Sequence, residues 1–203
     1  MRQRLGQEEQ ARQKRDSGNL LRAISELRVW LLIGVYFTVA VGANASGAHL
    51  PKLLENHFPD EDKQTIGLLA ALPHLCALIG MLLLSRHSDQ TGERRGHVSV
   101  AAFLAAAGWL LAARAGSGWL ALAGLCLAQT GMMSMLPCFW AMPTAFLSKA
   151  AAAGGIALIN SMGNIGGLVG ANILNSFGLE AMALILAAGG ALVLTVRREE
   201  ALP

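Results

Sequence analysis

Charged side chains divide this chain into segments of hydrocarbon length. Residues 29–51 and 64–85 contain no Asp, Glu, Lys or Arg, and from Gly96 to Val196 the only such residues are Arg114, Lys149 and Glu180. A bilayer core of about 30 Å needs roughly 20 apolar residues as a helix, so these segments read as spans rather than as core helices of a soluble domain. The pattern predicts an all-α membrane protein with six transmembrane helices, over residues 29–50, 66–84, 97–113, 119–142, 152–174 and 179–196. Breaks are expected at Pro51, at 86–96, at Gly116-Ser117-Gly118, at Pro143 and at 175–178. The last span is short, and Arg197 and Arg198 can snorkel to the interface beyond it.

An alternating six-span path puts thirteen of the sixteen basic residues on one side, leaving only Lys52, Lys63 and Arg114 on the other. Lys and Arg mark the cytoplasmic side, so both termini are expected there, with the chain in the plasma (bacterial inner) membrane. Residues 1–28 are rich in charge and have no apolar core of a signal peptide. From Asn19 onward, Leu20, Leu21, Ile24 and Leu27 recur at helical spacing among charges, which predicts a short amphipathic helix on the membrane face. The expected organisation is a charged segment 1–28, a six-helix bundle 29–196 and a tail 197–203.

Composition agrees, with 54% hydrophobic and 14% charged residues and 23 glycines, which suits close packing of helices in lipid. A net charge of +3 confined to loops offers no basic face, which excludes nucleic acid as a partner. Cys76, Cys126 and Cys138 lie in apolar stretches and read as small hydrophobes. No Cys or His pair has metal-ligand spacing and no phosphate-cradling loop is present, so neither a metal nor a cofactor is expected.

Hydrocarbon makes polar side chains expensive, so those within spans are the candidates for function. They are Asn44 and His49 in the first span, His74 in the second, Gln129 in the fourth, and Asn160 and Asn164 in the fifth. Asn160 and Asn164 stand at i, i+4 and share a helix face, while Gly163 with Gly167 and Gly166 with Gly170 form two close-packing stripes. Amides bonding only across helices would be an equally good account of that pair. A histidine could carry a coupling proton, although a satisfied structural histidine is the commoner case. Asn44, His49, Gln129, Asn160 and Asn164 are therefore taken as candidate substrate-binding residues.

Two stretches carry a resemblance. The loop Ser85-Arg86-His87-Ser88-Asp89-Gln90-Thr91-Gly92-Glu93-Arg94-Arg95 resembles the cytoplasmic loop motif of the major facilitator superfamily, with Ser85 where Gly is usual and Gln90 where Arg is usual. Residues 137–147 followed by 153–170 are similar to the last helices of its anion:cation symporter group. Val29-Trp30-Leu31-Leu32 with Tyr36-Phe37 and Leu50-Pro51 resembles the seventh helix of such transporters, with His49 where many carry Trp.

The resemblance implies the C-terminal half of a twelve-helix carrier, an inverted three-plus-three repeat, beginning within the central loop. It implies proton-coupled transport of a small organic anion such as a sugar acid, dicarboxylate or aromatic acid, around a midplane site between two halves. Asp89, Arg94 and Arg95 would form a gate latch, and Asn160 and Asn164 would line or brace the cavity. A complementary N-terminal half or a second copy would complete the site.

Two other readings compete. A truncated or non-transporting membrane protein would share every feature above. An intramembrane serine protease built on Ser46 would need a histidine from a later helix and a glycine two residues before the serine. Here Asn44 holds that place, and His49, His57, His74, His87 and His97 all precede the last three spans, so the chain is not expected to be an enzyme.

Overall fold

The computed structural model describes residues 24–147 and 149–196. The calls on residues 1–23 and 197–203, including most of the amphipathic segment and the tail, lie outside the described residues. Six helices follow in order: α1 Leu27–His57, α2 Lys63–Thr91, α3 Arg95–Ala113, α4 Gly118–Phe146, α5 Lys149–Gly163 and α6 Ile165–Thr195. No strand occurs among the described residues.

The fifth and sixth spans are drawn as one apolar stretch, Ala152–Thr195, with two interruptions. At Asn164 the helix skips one residue but keeps its course, since the Asn164 amide still donates to the Asn160 carbonyl at 3.0 Å. At Gly178 it truly breaks, with φ 73 and ψ −171, a conformation that only glycine adopts without strain. The expected turn over 175–178 is thus a single residue. The piece after it is about 25 Å long at 1.5 Å per residue, a few ångströms short of a core of about 30 Å, so it crosses with local thinning or with snorkelling flanks.

Three other expected breaks are displaced. α1 continues through Pro51 to His57, because a proline near a helix end forfeits only one internal hydrogen bond and the turn still closes with Phe58 N–H on the Leu54 carbonyl. α4 passes Pro143 to Phe146 in the same way. The loop expected over 86–96 is mostly helix: α2 runs to Thr91, Gly92 turns left-handed at φ 66, and α3 starts at Arg95. The Gly116-Ser117-Gly118 break, like the one at Gly178, falls where expected, with the Ser117 side chain capping α4 through Leu120 N–H.

Within each triple, neighbouring helices touch little. α3 packs most extensively on α4, α1 on α6, α2 on α4 and α3 on α6. Because three spans reverse the direction of the chain, the second triple enters inverted relative to the first, and each triple's leading helix, α1 or α4, is enclosed mainly by helices of the other. Contacts at the two ends fit this path. Arg95 reaches the Val196 carbonyl at one end, and Arg114 pairs with Glu180 at the other. The first end also holds Arg86 and Arg94 and is called the basic end below.

Glycine sets the tightest seam. A Cβ at Gly108 would strike the Ala128 backbone, one at Gly124 the Ala112 backbone, and one at Gly131 the Ala105 backbone, so α3 and α4 lie main chain against main chain. Gly166 and Gly170 seat on the Phe37 and Val41 carbonyls of α1 in the same manner. By contrast, α2 is the least enclosed helix, with Leu68, Leu75, Ile79, Leu82 and Leu83 exposed.

Gly108→Val should lower the thermal midpoint of the chain in detergent by the equivalent of about 3 kcal/mol, since neither backbone can retreat. Gly67→Ala, where a Cβ meets nothing within 4 Å, should be neutral or stabilising by up to ~1 kcal/mol. Equal effects of the two changes would show that the seam is not close-packed.

Candidate functional site

Polar side chains gather in three places. The first is a hydrogen-bonded line at mid-depth, buried at two of its three members. Ser46 of α1 donates its hydroxyl to Gln129 Oε1 of α4 at 2.9 Å, and Gln129 Nε2 lies 3.3 Å from His74 Nδ1 of α2. Ser46 is 3% exposed and Gln129 5% exposed. His74 is open on the outer face of α2, one residue after the buried Pro73. Sequence reasoning singled out Gln129 but treated Ser46 only as a discarded nucleophile and left His74 unassigned. Neither spacing nor polarity reveals that three separate helices bring them together.

The second group lies along α1, α5 and α6. Asn164 donates to Asn160 Oδ1 at 3.0 Å, so the i, i+4 pair is joined to itself, and both residues are exposed. Asn44 donates to its own Ala40 carbonyl at 3.0 Å and packs on Gly167, three residues beyond Asn164. Nearby, Tyr36 stacks on Phe139 at 5.6 Å between ring centres, meets the edge of Trp140 at 4.9 Å, and closes over Gly163. This aromatic cluster joins α1, α4 and α5 and was not anticipated from the sequence, although each of its rings lies in a stretch that carried the family resemblance. His49 stands apart, toward the end opposite the basic one. It lines a cavity of about 210 Å³ with Lys52, Asn56 and Asn175, and its Nδ1 is buried without a partner.

The third group caps the basic end. Asp89 pairs with Arg94 at 2.6 Å, and the same guanidinium reaches Ser88 Oγ at 3.1 Å while Ser88 donates to the Glu93 carbonyl at 2.7 Å. Arg95 does not join this pair; it donates to the Val196 carbonyl at 2.8 Å and covers the end of α6. Glu93, which sequence reasoning passed over, accepts from the Gly96 N–H at 2.7 Å and from His97, so it caps the first turn of α3. Partial burial pushes its carboxyl up, but the hydrogen bonds from Gly96 and His97 outweigh this and hold it below the ordinary carboxylate range. His97 in turn lies 2.7 Å from His87. Among the described residues no group of three or more possible metal ligands forms.

The helices form a crossed pair of inverted triples with polar side chains at mid-depth, and a sequence model of the Major Facilitator Superfamily matches residues 2–171. The chain belongs to the major facilitator superfamily. It is therefore an integral membrane protein of a transporter family, and not an enzyme. A protein of Agrobacterium vitis named as a tartrate transporter is 39% identical over 166 residues, covering 82% of this chain and 36% of that protein. A quinolone resistance transporter of Acinetobacter baumannii is 36% identical over 152 residues, covering 75% of this chain and 35% of that protein. A crystal structure of an E. coli fucose:proton symporter variant superposes with a TM-score of 0.78 at 16% identity, covering 90% of this chain and 46% of that one. The likeness extends to the fold. The chain spans less than half the length of each of these proteins.

The cap at Glu93 yields a signed prediction. Because its folded-state carboxyl is held low, the cap contributes stability above the ordinary carboxylate range and loses it as pH falls through the folded value. Glu93→Ala should cost about 1 kcal/mol at pH 7 in thermal unfolding, and the gap from the parent chain should close below about pH 4. A gap that persists at acid pH would mean the side chain acts by packing.

Proposed function

We propose that this chain forms one bundle of a secondary transporter for a small organic anion, such as a sugar acid, dicarboxylate or aromatic acid, moved with a proton by symport. The observation that carries the reading is the exposure of His74, Asn160 and Asn164 in the middle of apolar helices. Amides and imidazoles turned toward hydrocarbon would be unsatisfied, whereas the same groups facing a wet cavity between two bundles can bind a ligand. The similarity to a protein named for tartrate supports an anionic substrate, and the superposition on a proton symporter's fold is consistent with coupling.

In this reading Asn44, Gln129, Asn160 and Asn164 contribute to a midplane substrate site, and His49 serves its mouth. Asp89 and Arg94 form the latch at the basic end, which faces the cytoplasm by the excess of Lys and Arg on that side. Arg95 acts beside them by holding the end of α6. An ion pair of this kind is made in one conformation of the two bundles and lost in the other. The open faces of α2, α5 and the first part of α6 then require either a complementary six-helix half or a second copy to close the cavity. The bilayer is that of the bacterial inner membrane.

Uptake of labelled tartrate and related acids into vesicles, with an inward proton gradient, tests the reading when the chain is reconstituted with a complementary half. Acid-driven accumulation is expected, and the chain alone should give none. Carriage of quinolones with no organic acid uptake would overturn the anion assignment, and flux through the isolated monomer would overturn the need for a partner. Asn160→Leu or Asn164→Leu should lower uptake about tenfold, the equivalent of one lost hydrogen bond of ~1.4 kcal/mol, with insertion unchanged. Asp89→Asn should change the transport rate and spare expression.

A further inference from the structure

The chain Ser46–Gln129–His74 has a polarity that one proton can reverse. Gln129 Nε2 can only donate, so the facing His74 Nδ1 is the bare nitrogen of a neutral imidazole and the hydrogen sits on Nε2. At the other end of the amide, Ser46 donates to Oε1. Both buried members are satisfied in this arrangement. No fixed charge competes with it, because the described parts of α1, α2 and α4 hold no Asp, Glu, Lys or Arg between Val29 and Pro51, between Gln64 and Ser85, or anywhere from Gly118 to Phe146. The other titratable groups of those helices within the spans are Tyr36 and His49 on α1, Cys76 on α2, and Cys126 and Cys138 on α4, and none is hydrogen-bonded to His74. α3 adds only Arg95 and His97 at its first turn.

We infer that His74 takes up the proton of the transport cycle and that the Gln129 amide turns over in response, passing the change to Ser46 on α1. A proton on Nδ1 sets two donors against each other at 3.3 Å, which is repulsive and leaves the buried amide without its partner. Rotating the amide by half a turn exchanges its oxygen and nitrogen. Oε1 then accepts from the imidazolium Nδ1–H, Nε2 donates to Ser46 Oγ, and the Ser46 hydroxyl hydrogen turns to the backbone carbonyl one turn back on its own helix. The heavy atoms keep their places and every group is again satisfied, so the network has two complete states and no stable halfway one.

The two states link opposite triples, since Gln129 belongs to α4 while Ser46 and His74 belong to α1 and α2. The imidazolium so formed lies on the open face of α2, where a carboxylate held between two bundles is the chemical class that would neutralise it. One anion and one proton would then favour each other's binding. The anion's role and the assignment of this proton to the transport cycle rest on the symport reading above; the amide reversal does not.

Nitrogen NMR of the full chain in lipid nanodiscs, with labelled histidine and glutamine and His74 assigned by His74→Asn, tests the switch without any transport assay. At alkaline pH the His74 Nδ1 signal should be that of a bare nitrogen, on acidification both ring nitrogens should become protonated, and the Gln129 amide signal should move over the same pH range. In Gln129→Glu, whose side chain as a carboxylate can only accept, Nδ1 should be protonated throughout. A neutral ring with its hydrogen on Nδ1, a His74 that does not titrate, or a Gln129 signal that ignores the titration would each overturn the inference. Symport can fail independently: a coupled NMR titration with gradient-insensitive uptake removes proton coupling and keeps the switch, and proton-driven uptake with an unmoved Gln129 does the reverse.

Discussion

Hydrocarbon supplies no hydrogen bonds, and the whole architecture follows from that lack. Each helix satisfies its own backbone, so what remains is to bring helices together without a hydrophobic driving force between them. The chain does so by removing side chains at the points of contact. Gly108, Gly124 and Gly131 let α3 and α4 meet at their backbones, and Gly166 and Gly170 do the same for the second half of the molecule against α1. Dispersion over such close surfaces replaces what burial from water would supply in a soluble bundle.

The same constraint shapes the polar site. Ser46 and Gln129 would each be costly alone at mid-depth, and they survive because they meet each other across the α1–α4 contact. His74 extends the network to the open face of α2. That network ties helices of opposite triples, whereas Asn160 and Asn164 are bonded to one another and exposed. At the basic end the Glu93 cap on α3 and the Asp89–Arg94 pair lie side by side in one short stretch of chain.

Much of this was legible in residue order, and the failures have physical causes. The spans stood out because charge is nearly absent from them. Helix ends did not, because proline at Pro51 and Pro143 costs only one hydrogen bond near an end and the helix runs on. The loop between α2 and α3 looked long because it is charged, yet charge at a membrane surface does not unwind a helix, and a single left-handed glycine, Gly92, makes the turn. Arg94 and Arg95 came together from the family's loop motif, but neighbours on an α-helix point about 100° apart, so Arg94 meets Asp89 while Arg95 reaches Val196.

Hydropathy alone determined that the chain lives in a bilayer, how many times it crosses, and which amides and imidazoles would be expensive there, because those are properties of composition within each segment. Only the tertiary structure decided that the helices of each triple would part and pair with those of the other, and hence that Ser46, His74 and Gln129 would share one hydrogen-bonded line. Distance along the chain carries no information about that meeting. It is set by which helices pack together, with glycine drawing α3 onto α4 and α6 onto α1.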